Sequence, residues 1–304
     1  MARILVTGGS GMIGSKLTAV LLMRGHEVVH LERSRKSPTI KTFIWDIGKE
    51  QIDEGALENV DAIVHLAGAS IGDGRWTGRR KEEILKSRVN STKLLHRELA
   101  KGNHSVKTFI CASAVGYYGS DCGDVLKGEG DAPGTDFLAD VCKVWEQTTE
   151  EITTLGIRVV RLRTGVVLSP SGGALEPMAR QVQFGLGAAL GDGKQYMSWI
   201  HLDDHCEAII FALQHDGIHG PYNSVAPAPV TNREFTNTLA RVLKRPFFLP
   251  NVPAFILKLL LGEMSVLVLG GCKVSSEKLV AAGFKFKYPE LDAALKDILI
   301  ADRN

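Results

Sequence analysis

The sequence predicts an α/β fold, a doubly wound parallel sheet with a small, mainly helical C-terminal lobe. Three observations predict it. Short apolar, β-rich runs alternate with helical patterns through the first half of the chain. A glycine-rich turn, Thr7-Gly8-Gly9-Ser10-Gly11-Met12-Ile13-Gly14, follows the first of these runs and opens the first helix. Beyond about residue 225 the alternation gives way to Pro227, Pro229, Pro246, Pro250 and Pro253 between helical stretches. Apolar strands separated by helices belong to a parallel sheet covered on both faces.

The elements follow in order. Residues 2–7 read as a buried strand, and 12–24 as a helix with apolar positions at Ile13, Leu17, Val20 and Leu21. Residues 27–32, 41–45 and 61–66 are the next strands, followed by a long helix at about 77–101. Residues 106–112 and 157–163 are two more strands, with a helix at about 134–154 between them. Residues 169–195 are glycine-rich with one helical run, and 198–215 return to strand then helix. Helices are expected near 231–243, 254–269, 275–282 and 289–299. The expected division is a nucleotide-binding domain over 1–225, with a substrate-side insertion at about 168–197, and a lobe over 226–304 that closes over the sheet edge.

Composition narrows the function. The 304 residues hold 36 basic and 34 acidic side chains, a net charge of +2, which excludes nucleic-acid binding by bulk charge. At 44% hydrophobic the chain can build a sizeable core. Cys111, Cys122, Cys142, Cys206 and Cys272 are odd in number and scattered, with no CxxC pair. They read as free thiols of a reducing, cytoplasmic setting, with no metal site. The chain runs from its start into a strand without signal-peptide character. The most apolar stretch, 254–271, is interrupted by Lys258 and Glu263, so a buried or amphipathic helix is expected and no membrane span. HExxH, GxSxG and a P-loop Lys-Ser/Thr are all absent, which sets aside zinc proteases, α/β-hydrolases and P-loop NTPases.

The glycine turn carries the strongest signal. Gly8, Gly11 and Gly14 fit GxxGxxG, and Gly9, Gly11 and Gly14 fit GxGxxG. After a strand and before a helix, such a turn lets a pyrophosphate approach free backbone N–H groups at the positive helix end. This is the Rossmann-type arrangement, and it makes Gly8, Gly11, Met12, Ile13 and Gly14 candidate cofactor residues. Glu32, at the end of the second strand, suits the ribose 2′-hydroxyl of NAD(H). Arg33 and Arg35 suit a 2′-phosphate. NADP(H) is the expected cofactor and NAD(H) the alternative. Asp46, after the third strand, is a candidate for the adenine edge or a turn residue.

The glycine turn together with His65-Leu66-Ala67-Gly68-Ala69 resembles the extended short-chain dehydrogenase/reductase superfamily. Arg75-Trp76-Thr77 with Arg80-Lys81, Ser87-Arg88, Ser113 to Gly119 (SAVGYYG) and Ser198-Trp199-Ile200-His201 narrow the resemblance to its atypical epimerase family proteins. Residues about 250–299 resemble the small C-terminal domain of unknown function in that group. The resemblance implies a cofactor site that also takes in Leu66, Ala67, Gly68, Arg88, Lys143 and Val167.

The superfamily's usual chemistry needs a Tyr and a Lys four residues apart on one helix face. Lys143 stands in the lysine place, but Ala139 stands where the tyrosine belongs. Arg88 takes the place of the usual asparagine, with Asn90 the alternative in a shifted register; Arg88 there could bind a cofactor phosphate or a substrate carboxylate. Ser113 is the candidate serine, and a one-residue shift would put Ala114 there. Tyr118 and His201 are candidate replacements for the missing proton donor. The catalytic candidates are therefore Ser113, Tyr118, Lys143 and His201. The expected function is an NADP(H)-binding oxidoreductase or epimerase acting on a small polar, nucleotide-sugar-like substrate; the oligomeric state stays open, with a homodimer as one option. The alternative is a catalytically silent NADP(H)-binding regulator.

Overall fold

A computed structural model describes residues 1–35, 37 and 39–300. β1 (Arg3–Thr7) leads into α1 (Met12–Met23), β2 (Glu27–Glu32), β3 (Thr42–Asp46) and the short β4 (Gln51–Ile52). β5 (Ala62–His65), α2 (Gly78–Leu99), β6 (Thr108–Ala114), β7 (Asp121–Lys127) and α3 (Phe137–Glu150) follow. Then come β8 (Arg158–Thr164), β9 (Val166–Leu168), α4 (Leu175–Gln183), β10 (Tyr196–Met197), β11 (Trp199–His201), α5 (Leu202–Gln214) and β12 (Gly220–Ser224). β13 (Val230–Thr231), α6 (Asn232–Val242), α7 (Ala254–Leu261), α8 (Val266–Leu269), β14 (Gly271–Val274), α9 (Glu277–Ala281) and α10 (Leu291–Ile300) complete it.

The main sheet has the order β12-β8-β6-β5-β1-β2-β3-β4, and every neighbouring pair is parallel except β3 with β4. The carboxyl ends of β1, β2, β5, β6 and β8 therefore share one edge. Strand alternation divides the apolar residues between two cores. Ile4, Val6, Val64 and Ile110 pack under α1 and α5, while Leu5, Ile63 and Phe109 pack under α2 and α3. Burying a side chain such as Phe109 or Leu95 fully contributes about 1.5–3 kcal/mol. Thr77 caps α2 by accepting from the Arg80 N–H, and Asp136 caps α3 by accepting from the Ala139 N–H. These two helices form the wall beside the carboxyl edge.

A third core joins Trp199 and Leu168 to Leu175 and Val182 of α4, Phe235 and Leu239 of α6, and Leu291 and Leu295 of α10. The glycine-rich stretch before β10 is tied to the same region. The Leu190 N–H donates to Asn232 Oδ1 (2.8 Å), and the Gly191 N–H to the Val252 carbonyl (2.9 Å).

Two expectations need correction. The helix expected over 254–269 breaks at Gly262, whose φ of 58° an L side chain adopts only with strain. It is not buried either: α7 has no buried residue, and Phe255 and Leu259 face solvent. The cysteines are not all free: Cys122 of β7 and Cys272 of β14 form a disulfide, with Cα atoms 5.1 Å apart. β7 and β14 pair as parallel strands across 150 residues of chain, a juxtaposition that cysteine spacing cannot reveal. Among the described residues no helix is long and apolar enough to cross a membrane.

Candidate functional site at the carboxyl edge

The phosphate loop is held by contacts that only glycine permits. A Cβ on Gly14 would lie 2.2 Å from the Gly8 carbonyl oxygen, and one on Gly9 would lie 2.5 Å from the His30 ring. Gly8 itself has a φ of 70°. The Gly11 N–H closes the turn onto the Gly8 carbonyl (3.0 Å). Gly11 is the N-cap of α1 and offers no side-chain cap. The N–H groups of Met12, Ile13 and Gly14 consequently point out of the helix end without an acceptor among the described residues. That donor set fits a pyrophosphate. Gly173, beside Met12 and the Val167 carbonyl, brings the start of the insertion next to the same helix end.

The acid and the arginine after β2 are treated differently. Glu32 is buried, and its Oε1 accepts the Ser10 N–H at 2.6 Å, so the carboxylate braces the glycine loop. Arg33, the next residue, is exposed. Asp46 is a turn residue: its Oδ1 accepts the Lys49 N–H (3.0 Å), which holds its pKa below the usual carboxylate value.

Below the loop, His65 is fully buried and hydrogen-bonded to Thr7 Oγ1 (2.7 Å), Ser91 Oγ and Thr92 Oγ1 (both 3.2 Å). Burial, helped by the Arg88 charge, pushes its pKa down to about 3, so the ring is neutral. Thr7 Oγ1 also accepts the N–H groups of Leu66 and Ala67, which fixes the Leu66-Ala67-Gly68 turn against the glycine loop. Arg88 reaches this turn from α2. Its Nη1 donates to the carbonyls of Ala69 and Ile84, both at 3.0 Å, and its guanidinium lies 5.1 Å from the centroid of the Trp145 ring.

The far side of the edge is closed. Ser113 Oγ donates to Glu146 Oε1 (2.7 Å), and Arg163 pairs with both Glu146 oxygens, each at 2.9 Å. Arg163 Nη1 donates to the Tyr118 hydroxyl (3.0 Å), which in turn donates to Asn223 Oδ1 (2.7 Å). The guanidinium also stacks 3.4 Å from the Tyr117 ring centroid. Burial pushes the Tyr118 pKa up to about 12 against the pull of Arg163, so it is a neutral phenol with both roles taken. Glu146 and Asn223 were not singled out from the sequence. The one signal for Glu146 is its place three residues after Lys143 on an α-helix.

The four catalytic candidates are not brought together. Ser113 and Tyr118 are members of this buried network. His201 is the N-cap of α5, its Nδ1 accepting the Asp203 N–H (3.0 Å). Its ring stacks on Tyr288 at 4.0 Å between centroids, and burial lowers its pKa despite Asp203 and Asp297. Lys143 stays partly exposed on α3, donating to Asp140 at 2.9 Å. Ala139, one turn before it, is a fully buried methyl group. Arg163 makes a structural ion pair, and Trp76 donates to the Ile71 carbonyl while packing on Phe137. Among the described residues no cluster of three or more His, Cys, Asp or Glu could hold a metal.

The sequence pattern of the NAD dependent epimerase/dehydratase family matches residues 4–224, and that of a domain of unknown function (DUF1731) matches residues 252–298. The chain is 40% identical to the Epimerase family protein YfhF of Bacillus subtilis over 303 residues, 99% of each chain. It is similar to the crystal structure of human epimerase family protein SDR39U1 (isoform 2) with NADPH, at 33% identity and a TM-score of 0.88, covering 97% of this chain and 98% of that one. It shares the fold of MoeE5 in complex with UDP-glucose and NAD, at 20% identity and a TM-score of 0.76 over 99% of both chains.

Proposed function

This chain belongs to the NAD dependent epimerase/dehydratase family of extended short-chain dehydrogenases/reductases, and from that premise we propose that it is an NADP(H)-dependent reductase of a small polar substrate. The observation that carries the cofactor choice is the split between Glu32 and Arg33. Glu32 spends its Oε1 on the Ser10 N–H and is buried, while Arg33 stands exposed at the end of the same strand. A guanidinium in that position favours a 2′-phosphate over a bare ribose. The NADPH of the human relative supports the same choice.

The N–H groups of Met12, Ile13 and Gly14 would hold the pyrophosphate, with Gly8, Gly11, Leu66, Ala67, Gly68 and Val167 forming the walls. Lys143 would orient the nicotinamide ribose once it releases Asp140. When bound, the nicotinamide supplies or accepts a hydride. Reversible epimerisation also needs a base that removes and returns a hydroxyl proton. Ser113, Tyr118 and His201 are each committed to internal hydrogen bonds, and Ala139 has no proton to exchange. Reduction of a carbonyl or conjugated double bond makes the lesser demand, because solvent can deliver the proton after hydride transfer. A catalytically silent NADP(H) sensor is the second reading, favoured by the methyl group of Ala139.

The test is titration of wild type and Arg33→Ala with NADPH and NADH, followed by NADPH oxidation against a metabolite pool. Preference for NADPH that collapses in the variant supports the cofactor reading; equal affinity, or a preference for NADH that ignores the variant, overturns it. Tight NADPH binding without oxidation by any pool fraction selects the sensor.

A further inference from the structure

Arg88 is a half-buried cation without an acid beside it among the described residues. Three of its donor positions matter. Nη1 is used by the carbonyls of Ala69 and Ile84, while Nε and Nη2 have no partner among the described residues. No carboxylate among the described residues forms an ion pair with it. The nearby titratable groups cannot compensate it: burial pushes the Cys111 and Cys142 thiols up to about 12, so both are neutral, and Arg80 adds like charge. His65 is neutral as well. Arg88 is half-buried, so the open face of its guanidinium can still meet an anion, and no acid among the described residues competes for it.

The place is informative. Gly68 lies against the guanidinium, since a Cβ there would sit 3.1 Å from Arg88 Cζ. Trp145 backs the guanidinium from α3, the helix that carries Lys143. The open donors thus lie between the turn after β5 and α3. The two unused donors form half of the planar fork that binds carboxylate or phosphate oxygens side by side.

We infer that Arg88 is the substrate-anchoring residue, and that the substrate carries a carboxylate or phosphate group seated on Arg88 Nε and Nη2 between Gly68 and Trp145. The inference rests on the reading of this edge as a reductase cleft. It narrows the small polar substrate to one that carries an anionic group. The same anionic oxygens could come from the cofactor's own phosphates, and the experiment separates the two sources.

Inorganic phosphate and pyruvate are titrated calorimetrically into wild type, Arg88→Gln and Arg88→Lys, each with and without saturating NADPH, and NADPH affinity is measured for all three. Thermal melts confirm that the variants fold. The expected result is anion binding to wild type in both states, weakened at least about tenfold in Arg88→Gln, with NADPH affinity changed less than about threefold. Should Arg88→Gln fail to fold, Arg88→Lys decides: it keeps the charge and loses the fork, so anion affinity falls about threefold or more while NADPH affinity holds. Absence of anion binding to wild type, or binding that ignores both variants, overturns the inference. An anion displaced by NADPH, with NADPH itself weakened about tenfold in Arg88→Gln, assigns Arg88 to the cofactor and also overturns it. Failure of NADPH to bind wild type defeats the reductase reading alone, because the titration of the free protein still tests the anion site.

Discussion

The two halves of the sheet's carboxyl edge are built on opposite plans. Around β1 and β2 the backbone leaves donors open: three N–H groups at the start of α1 lack acceptors among the described residues, and Arg33 stands in solvent. Around β6 and β8 the candidate hydroxyls are closed. Ser113, Glu146, Arg163, Tyr118 and Asn223 satisfy one another in the interior. The difference separates two properties that the fold usually combines. The phosphate loop depends on glycine and backbone and is retained. The side-chain proton relay depends on particular hydroxyls, and here those positions hold Ala139 and an internally bonded serine. A buried network of this kind rigidifies the edge but donates nothing outward.

The largest expected effect breaks the closed half. Glu146→Ala strands the buried Arg163 charge and should cost about 3–5 kcal/mol in urea unfolding. NADPH affinity of the still-folded protein should hold, since the open half is untouched; a matching loss of binding would show that the halves are one unit.

Acid tests the floor that both halves share. The folded-state pKa values of His65 and His205 are depressed to about 3 and about 4 by burial, from 6.5. Each ring is neutral when folded and protonates only on unfolding. Their contribution is therefore fully present above pH 6.5 and is lost as pH falls toward the folded values. The slope approaches about 1.4 kcal/mol per pH unit for each group. Stability against urea between pH 7 and 4 measures it, and His65→Gln should flatten the profile.

Gly14→Ala attacks the open half alone. The methyl group would meet the Gly8 carbonyl, displacing the loop at about 1–3 kcal/mol, which reads as at least about fivefold weaker NADPH binding. The smallest effect sharpens the cofactor choice. Arg33 is exposed, so its charge-assisted bond to a 2′-phosphate is worth about 1 kcal/mol, and Arg33→Ala should weaken NADPH about fivefold while leaving NADH unchanged.

The open half was legible in the sequence because its logic is local. The glycine turn, the strand before it and the helix after it are contiguous, and α1, α2 and α3 begin within a few residues of their expected starts. The closed half was not. Tyr118 and Asn223 are 105 residues apart, and no spacing announces their hydrogen bond. His201 followed a strand and looked available; its cap bond to the Asp203 N–H is local, but its cover by Tyr288 comes from the far end of the chain. The pairing of Cys122 with Cys272 was equally invisible, since it depends on β14 lying beside β7.

The sequence by itself determined the sheet, its two covered faces, the phosphate loop and the loss of the family's tyrosine. Each of these follows from periodicity, from glycine's freedom at a contiguous turn, or from the identity of one residue. Tertiary structure alone decided which polar groups remain available. Whether a hydroxyl, an imidazole or a guanidinium is spent or free depends on what distant segments bring within about 3 Å of it. That proximity turned Glu32 into a brace and Tyr118 into a buried phenol, and it left Arg88 uncompensated.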